Sequence, residues 1–124
     1  MNDNPDAGEL LAIARETLLE KLLPHLPDEL RYDALMIANA MAIAVREQAA
    51  GDAPAQAELA RVQTLLATCG DPPAGASLTD CNDRLATHIR SGRFDNKERA
   101  ALLDHLEKST ADKLAVANPK ALTA

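Results

Sequence analysis

The side chains able to ligate a metal or attack a carbonyl are few: Cys69, Cys81, His25, His88 and His105. Zinc sites draw donors from short fixed spacings such as C-x2-C or H-E-x-x-H, because two ligands must come from one turn or one helix face. No thiol or imidazole pair here has such a spacing. His88 shares an apolar stripe with Cys81, which points to two small side chains half-inside a core. A nucleophile needs a Ser or Cys on a sharp glycine-flanked turn near a base, yet no G-x-S-x-G occurs and Cys81 falls inside a predicted helix. No G-x-x-x-x-G-K loop is present to cradle phosphates, and residues 70–76 hold two prolines and no basic residue. Glu16, Glu20, Glu47, Asp104 and Glu107 fall on faces expected to be solvated, so no acid/base pair emerges. The sequence predicts no catalytic residue, no metal and no cofactor.

Two polar constellations stand out instead. Asn39 interrupts a run that is otherwise apolar from residue 34 to residue 45. At 100° per residue, Tyr32, Asn39 and Arg46 follow one another in steps of about 20°, forming one polar seam along a helix. A buried amide must be hydrogen-bonded, so the seam is either an internal network that fixes helix packing or the lining of a cleft or partner surface. The second constellation, Arg90-Ser-Gly-Arg-Phe-Asp95, puts two guanidinium groups and an aromatic ring on a tight turn. Arg and aromatic side chains are favoured at interface hot spots, while the plainer reading has Arg90 bonding the last carbonyls of its own helix.

The elements that must position these residues are all helical. Asn4-Pro-Asp6 opens a first helix over about residues 5–23, with Leu10, Ala14, Thr17, Leu18 and Leu22 as its inward stripe; Pro24 and Pro27 end it. Residues 28–48 form a second helix, apolar nearly all round and therefore expected at the centre, covered on every side. A third runs over residues 54–69 with Leu59, Val62, Leu65 and Leu66 inward, closed by Gly70. A fourth, capped by Ser77 or Thr79, carries Leu78, Cys81, Leu85, His88 and Ile89 and ends at Gly92. Asp95 with Glu98 resembles a capping box for a fifth, whose inward residues are Leu102, Leu103, Leu106, Leu114 and Ala117. No alternating strand pattern and no fixed-period repeat occurs. The expectation is an all-α, single-domain bundle of about five helices spanning residues 1–124, with 1–4 and 120–124 frayed.

Composition sets the function classes aside. Thirteen Lys plus Arg against 19 Asp plus Glu give a net charge of −6, with no dense basic cluster. Nucleic acid and anionic membranes are therefore poor partners. With aromatics at 2%, the core must be built from aliphatic side chains. The 12-residue apolar run is short of the roughly 20 residues that a membrane span needs. With no export signal in view, the two cysteines read as reduced thiols and the expected location is cytoplasmic.

Several motifs in order, Arg31-Tyr-Asp-Ala-Leu-Met-Ile-Ala-Asn-Ala-Met41 with Arg46-Glu47, then Asn82-x-x-Leu85-x-x-x-Ile89-Arg90-x-Gly92, and Lys113-Leu-Ala-Val-Ala-Asn-Pro-Lys120, resemble a family of small bacterial proteins known only as a domain of unknown function. The likeness runs from Pro5-Asp6 to Pro119. Members of that family stand beside a kinase resembling the aminoglycoside phosphotransferases and beside an acyl-CoA dehydrogenase, an arrangement similar to gene sets for levulinate-type 4-hydroxy acid breakdown. The resemblance implies an accessory subunit of a kinase acting on a hydroxyacyl-CoA. It carries over Arg31, Asn39, Arg46, Glu47, Ile89, Arg90, Gly92, Asn118 and Pro119, none with an assigned role. Joined with the residue-level reading, the expected ligand- or partner-binding set is Arg31, Tyr32, Asn39, Arg46, Glu47, Arg90, Arg93 and Asn118. Two other readings remain open: an enzyme or small-ligand carrier whose acyl-CoA or anion pocket combines the Asn39/Arg46 seam with Arg90, and a self-associating helical protein.

Overall fold

The computed structural model describes residues 5–123, which contain five α-helices and no strand. The expected N-terminal cap at Asn4 lies outside the described residues. Asp6 performs that role: its Oδ1 accepts the Glu9 N–H at 2.8 Å, and α1 runs over Ala7–Thr17. Pro24 then dictates how the helix ends. It has no N–H to give and its ring crowds the preceding turn, so the chain widens into a π-helical turn at Leu18–Leu22, where the Leu23 N–H reaches the Leu18 carbonyl. A 3-10 turn, Leu23–His25, completes the stop. Asp28 and Glu29 open α2, Asp28–Ala50, in its positive first turn, and Gly51 closes it at φ 63°.

The chain divides into two compact units, residues 1–51 with 115–124, and residues 52–114. In the first, α1 and α2 form an antiparallel hairpin: Gly8 sits near Gln48, and Arg15 donates from Nε to the Ala38 carbonyl at 3.1 Å. Ala34 and Ala38 are the buried residues of α2. Small side chains there let the helices approach closely, and the facing ridge is Gly8, Leu11 and Arg15 of α1 with Leu18 of the π-helical turn, all half-buried. The expected inward stripe is thus rotated, with Leu10 and Leu22 exposed.

The apolar run of α2 is helical as expected, but it is not covered on every side. Leu35, Met36 and Ile37 are 46%, 49% and 50% exposed. A helical hairpin buries one stripe of each helix and leaves the other faces open. The end of the chain also belongs to this unit. Arg46 donates from Nε to the Val116 carbonyl at 2.7 Å, and residues 119–122, expected to fray in part, form a 3-10 turn.

The second unit holds α3, Ala53–Thr68, α4, Leu78–Arg90, and residues 99–114 of α5, Arg99–Ala117. α3 and α4 end identically. Gly70 and Gly92, at φ 72° and 85°, bond back to Ala67 and Ile89, while Asp71 and Arg93 bond back to Leu66 and His88. This is the double closure that a left-handed glycine permits. Ser77 caps α4 by accepting the Asp80 N–H. Val62, Leu65 and Leu66 of α3 pack with Cys81 and Leu85 of α4, Phe94 and Leu102.

Two expectations about α5 are corrected. Asp95 is not its cap: residues 91–98 are turns, Asp95 gives its N–H to Gly92, and the helix starts at Arg99. Phe94 is the cause, since burying the only Phe ring fixes the chain in a turn through Asp95. The inward face is also different. Leu102, His105 and Ser109 are buried, whereas Leu103 and Leu106 are exposed.

Candidate functional site

Of the eight residues expected to bind a ligand or partner, six fall in the first unit. Tyr32 is 71% exposed, and Arg31, Asn39, Glu47 and Asn118 are exposed too. The expectation that Asn39 is buried is therefore wrong: two small residues on the other side of α2, Ala34 and Ala38, set the buried face, and Asn39 points away from it. Among the described residues only Arg46 of the three seam members makes a side-chain hydrogen bond, to the Val116 carbonyl, where it ties α2 to the end of α5. Asn118 follows α5 and its carbonyl accepts the Ala121 N–H of the last 3-10 turn.

Arg90 and Arg93 belong to the second unit. Arg90 does not bond the final carbonyls of α4, which are taken by the Ser91, Gly92 and Arg93 N–H groups and by Ser91 Oγ. Its guanidinium lies 3.4 Å from Thr87 Oγ1. Arg93 reaches the Thr68 carbonyl at 3.5 Å and, with Asn96, Lys97 and Glu98, lines an open cleft of about 420 Å³. The anion pocket expected from the seam plus Arg90 thus draws on residues of separate units.

His88 is engaged as well. Its Nε2 lies 3.0 Å from Asp71 Oδ2, and Arg84 Nη1 lies 3.5 Å from the other oxygen of that carboxylate. This arrangement pins the loop after α3 to α4. Among the described residues no group of three His, Cys, Asp or Glu side chains converges to hold a metal, and Cys69 and Cys81 are unpaired.

The most highly organised polar cluster is one that the sequence reading passed over. Arg61 of α3 donates from Nε to His105 Nδ1 at 3.1 Å and from Nη2 to Ser109 Oγ at 3.2 Å. His105 and Ser109 are one helical turn apart on α5 and only 3% and 7% exposed. Lys113, one further turn on, lies 3.9 Å from Glu58 of α3. Because a guanidinium can only donate, Nδ1 must carry the lone pair and the ring proton sits on Nε2. Burial, and next the Arg61 charge, hold the imidazole below its ordinary value, so it is neutral. The available signal was the four-residue spacing of His105, Ser109 and Lys113; it was masked by Leu103 and Leu106, which suggest a different inward face.

These features define a small all-helical protein, with apolar helix faces open in one unit and a buried polar cluster in the other. The chain belongs to the family described as a domain of unknown function (DUF6285), which it matches over residues 24–121. α1 and the π-helical turn precede that match. No curated protein and no solved structure matches the chain. The family description names neither a kinase nor a dehydrogenase.

Proposed function

We propose that this protein is a non-catalytic accessory subunit that docks on an aminoglycoside-phosphotransferase-like kinase acting on hydroxyacyl-CoA in acid catabolism. The observation that carries the binding role is the uncovered apolar surface of the first unit. Leu10, Ile13, Leu22, Met36 and Ile37 are each about half-exposed. Burying the rest of one such side chain against a partner contributes roughly 1 kcal/mol. Exposed apolar side chains of this size on both helices of the hairpin are what a docking partner would cover. The kinase as the partner rests on the resemblance carried by the motifs around Arg31, Arg46, Arg90 and Asn118.

The test is co-expression with a kinase of the aminoglycoside-phosphotransferase-like class. Co-purification at fixed stoichiometry, with altered kinase solubility or turnover on a hydroxyacyl-CoA, is the expected result. Failure to co-purify together with unchanged kinase behaviour would sink the proposal. The same apolar surface suits a second copy of this chain, and light scattering of the isolated protein separates the two. A stable dimer that persists in the presence of the kinase would favour self-association.

A further inference from the structure

His105 raises a question that helix packing does not answer. Its Nδ1 is satisfied by Arg61, and the tautomer this imposes leaves a donor, Nε2–H, with no hydrogen-bond partner among the described residues. No described side-chain polar atom is both fully buried and unpartnered, so this N–H must reach the protein surface. The surface next to it is an open cleft of about 240 Å³ whose lining includes Arg61, Thr64, Asp104, His105 and Lys108.

Leu65 and Ala101 complete a lining that is mostly apolar, and the polar groups set among them are mainly donors. A guanidinium uses two of its five N–H groups on His105 and Ser109, leaving three. Thr64 adds a hydroxyl and Lys108 an ammonium. The single carboxylate, Asp104, is already paired with Lys108 at 2.9 Å. With His105 neutral, two cations and one anion leave the lining with a net charge of +1 in a chain whose total is −6. A fixed, almost fully buried donor beside a pre-oriented guanidinium costs little to reorganise when it meets an oxyanion.

We propose that the α3–α5 cleft around His105 Nε2 and Arg61 is a binding site for a small oxyanion of the carboxylate or phosphate class. The site lies within the second unit, and the proposal does not rest on the docking role.

The test uses the whole chain labelled with 15N, titrated at constant ionic strength and pH about 7.5, well above the ordinary imidazole value. Inorganic phosphate is one arm, acetate the second and chloride the control. The expected result is a saturable displacement of the His105 Nε2 resonance in the millimolar range, with the tighter arm identifying the class of oxyanion. Lys108→Ala should weaken it several-fold and Asp104→Asn should tighten it. Both side chains are more than half-exposed, so neither change threatens the fold. A displacement that rises linearly and equally with chloride overturns the proposal, as does a saturable one indifferent to both substitutions.

Discussion

Arg61, His105 and Ser109 show how much can rest on one proton. The neutral imidazole accepts from Arg61; a protonated one would turn an N–H toward a guanidinium. Burial and the Arg61 charge hold its pKa below 6.5 in the folded state, so the unfolded chain binds the proton more readily. Stability contributed by His105 is present above pH 6.5 and is lost as the pH falls from there toward the folded value. The thermal midpoint, followed by circular dichroism, should therefore drop between about pH 7.5 and 5.5, and His105→Asn should remove that part of the slope. Arg61→Ala leaves two buried acceptors without a donor and should cost about 1 to 3 kcal/mol in urea unfolding. Capping offers a second contrast between residues. Ser77→Ala should cost about 1 kcal/mol, because its oxygen closes the first turn of α4. Asp95→Ala should cost under about 0.5 kcal/mol, because α5 starts at Arg99, four residues beyond Asp95. Equal losses at the two positions would mean that α5 begins earlier than Arg99.

At the scale of elements, the second unit depends on α3. Leu66 and Val62 are fully buried there, and Leu66→Ala should cost roughly 2 to 5 kcal/mol, since it removes contacts and leaves a cavity. α2 should behave differently despite its higher apolar content. Ala34 and Ala38 face α1 at close quarters, so enlarging either to Leu forces the hairpin apart and should cost about 1 to 3 kcal/mol. Met36, 49% exposed, should tolerate replacement by Gln with a change of less than about 0.5 kcal/mol. Amide exchange of α2 and thermal melts of these variants distinguish the buried face from the open one.

For the whole molecule, the open apolar surface is the feature with the largest consequence. Ile37→Glu should leave the melting temperature nearly unchanged and raise solubility. The same variant should lose capture of the kinase under conditions in which the unsubstituted chain retains it. No helix among the described residues is long and apolar enough to cross a membrane. Capture unaffected by Ile37→Glu and Met36→Glu together would remove this surface from the docking proposal.

The number and order of the helices were legible in the sequence because their signals are local. Pro24 and Pro27 stop α1, Gly70 and Gly92 supply left-handed closures, Ser77 caps α4, and Val62, Leu65 and Leu66 recur at helical spacing. Which face of each helix is buried was decided elsewhere. An apolar run such as residues 34–45 offers several nearly equal faces, and the choice fell to Ala34 and Ala38, whose small side chains let α1 approach. On α5 the leucines at 103 and 106 outweigh His105 in any count of apolar residues, yet Arg61 on a helix 44 residues away selects the face bearing His105 and Ser109. Phe94 likewise displaced the start of α5 by taking its place in a core assembled from α3 and α4. Local backbone chemistry thus set the elements, whereas the polar cluster and the open apolar surface depend on partners distant in sequence that only the tertiary structure brings together.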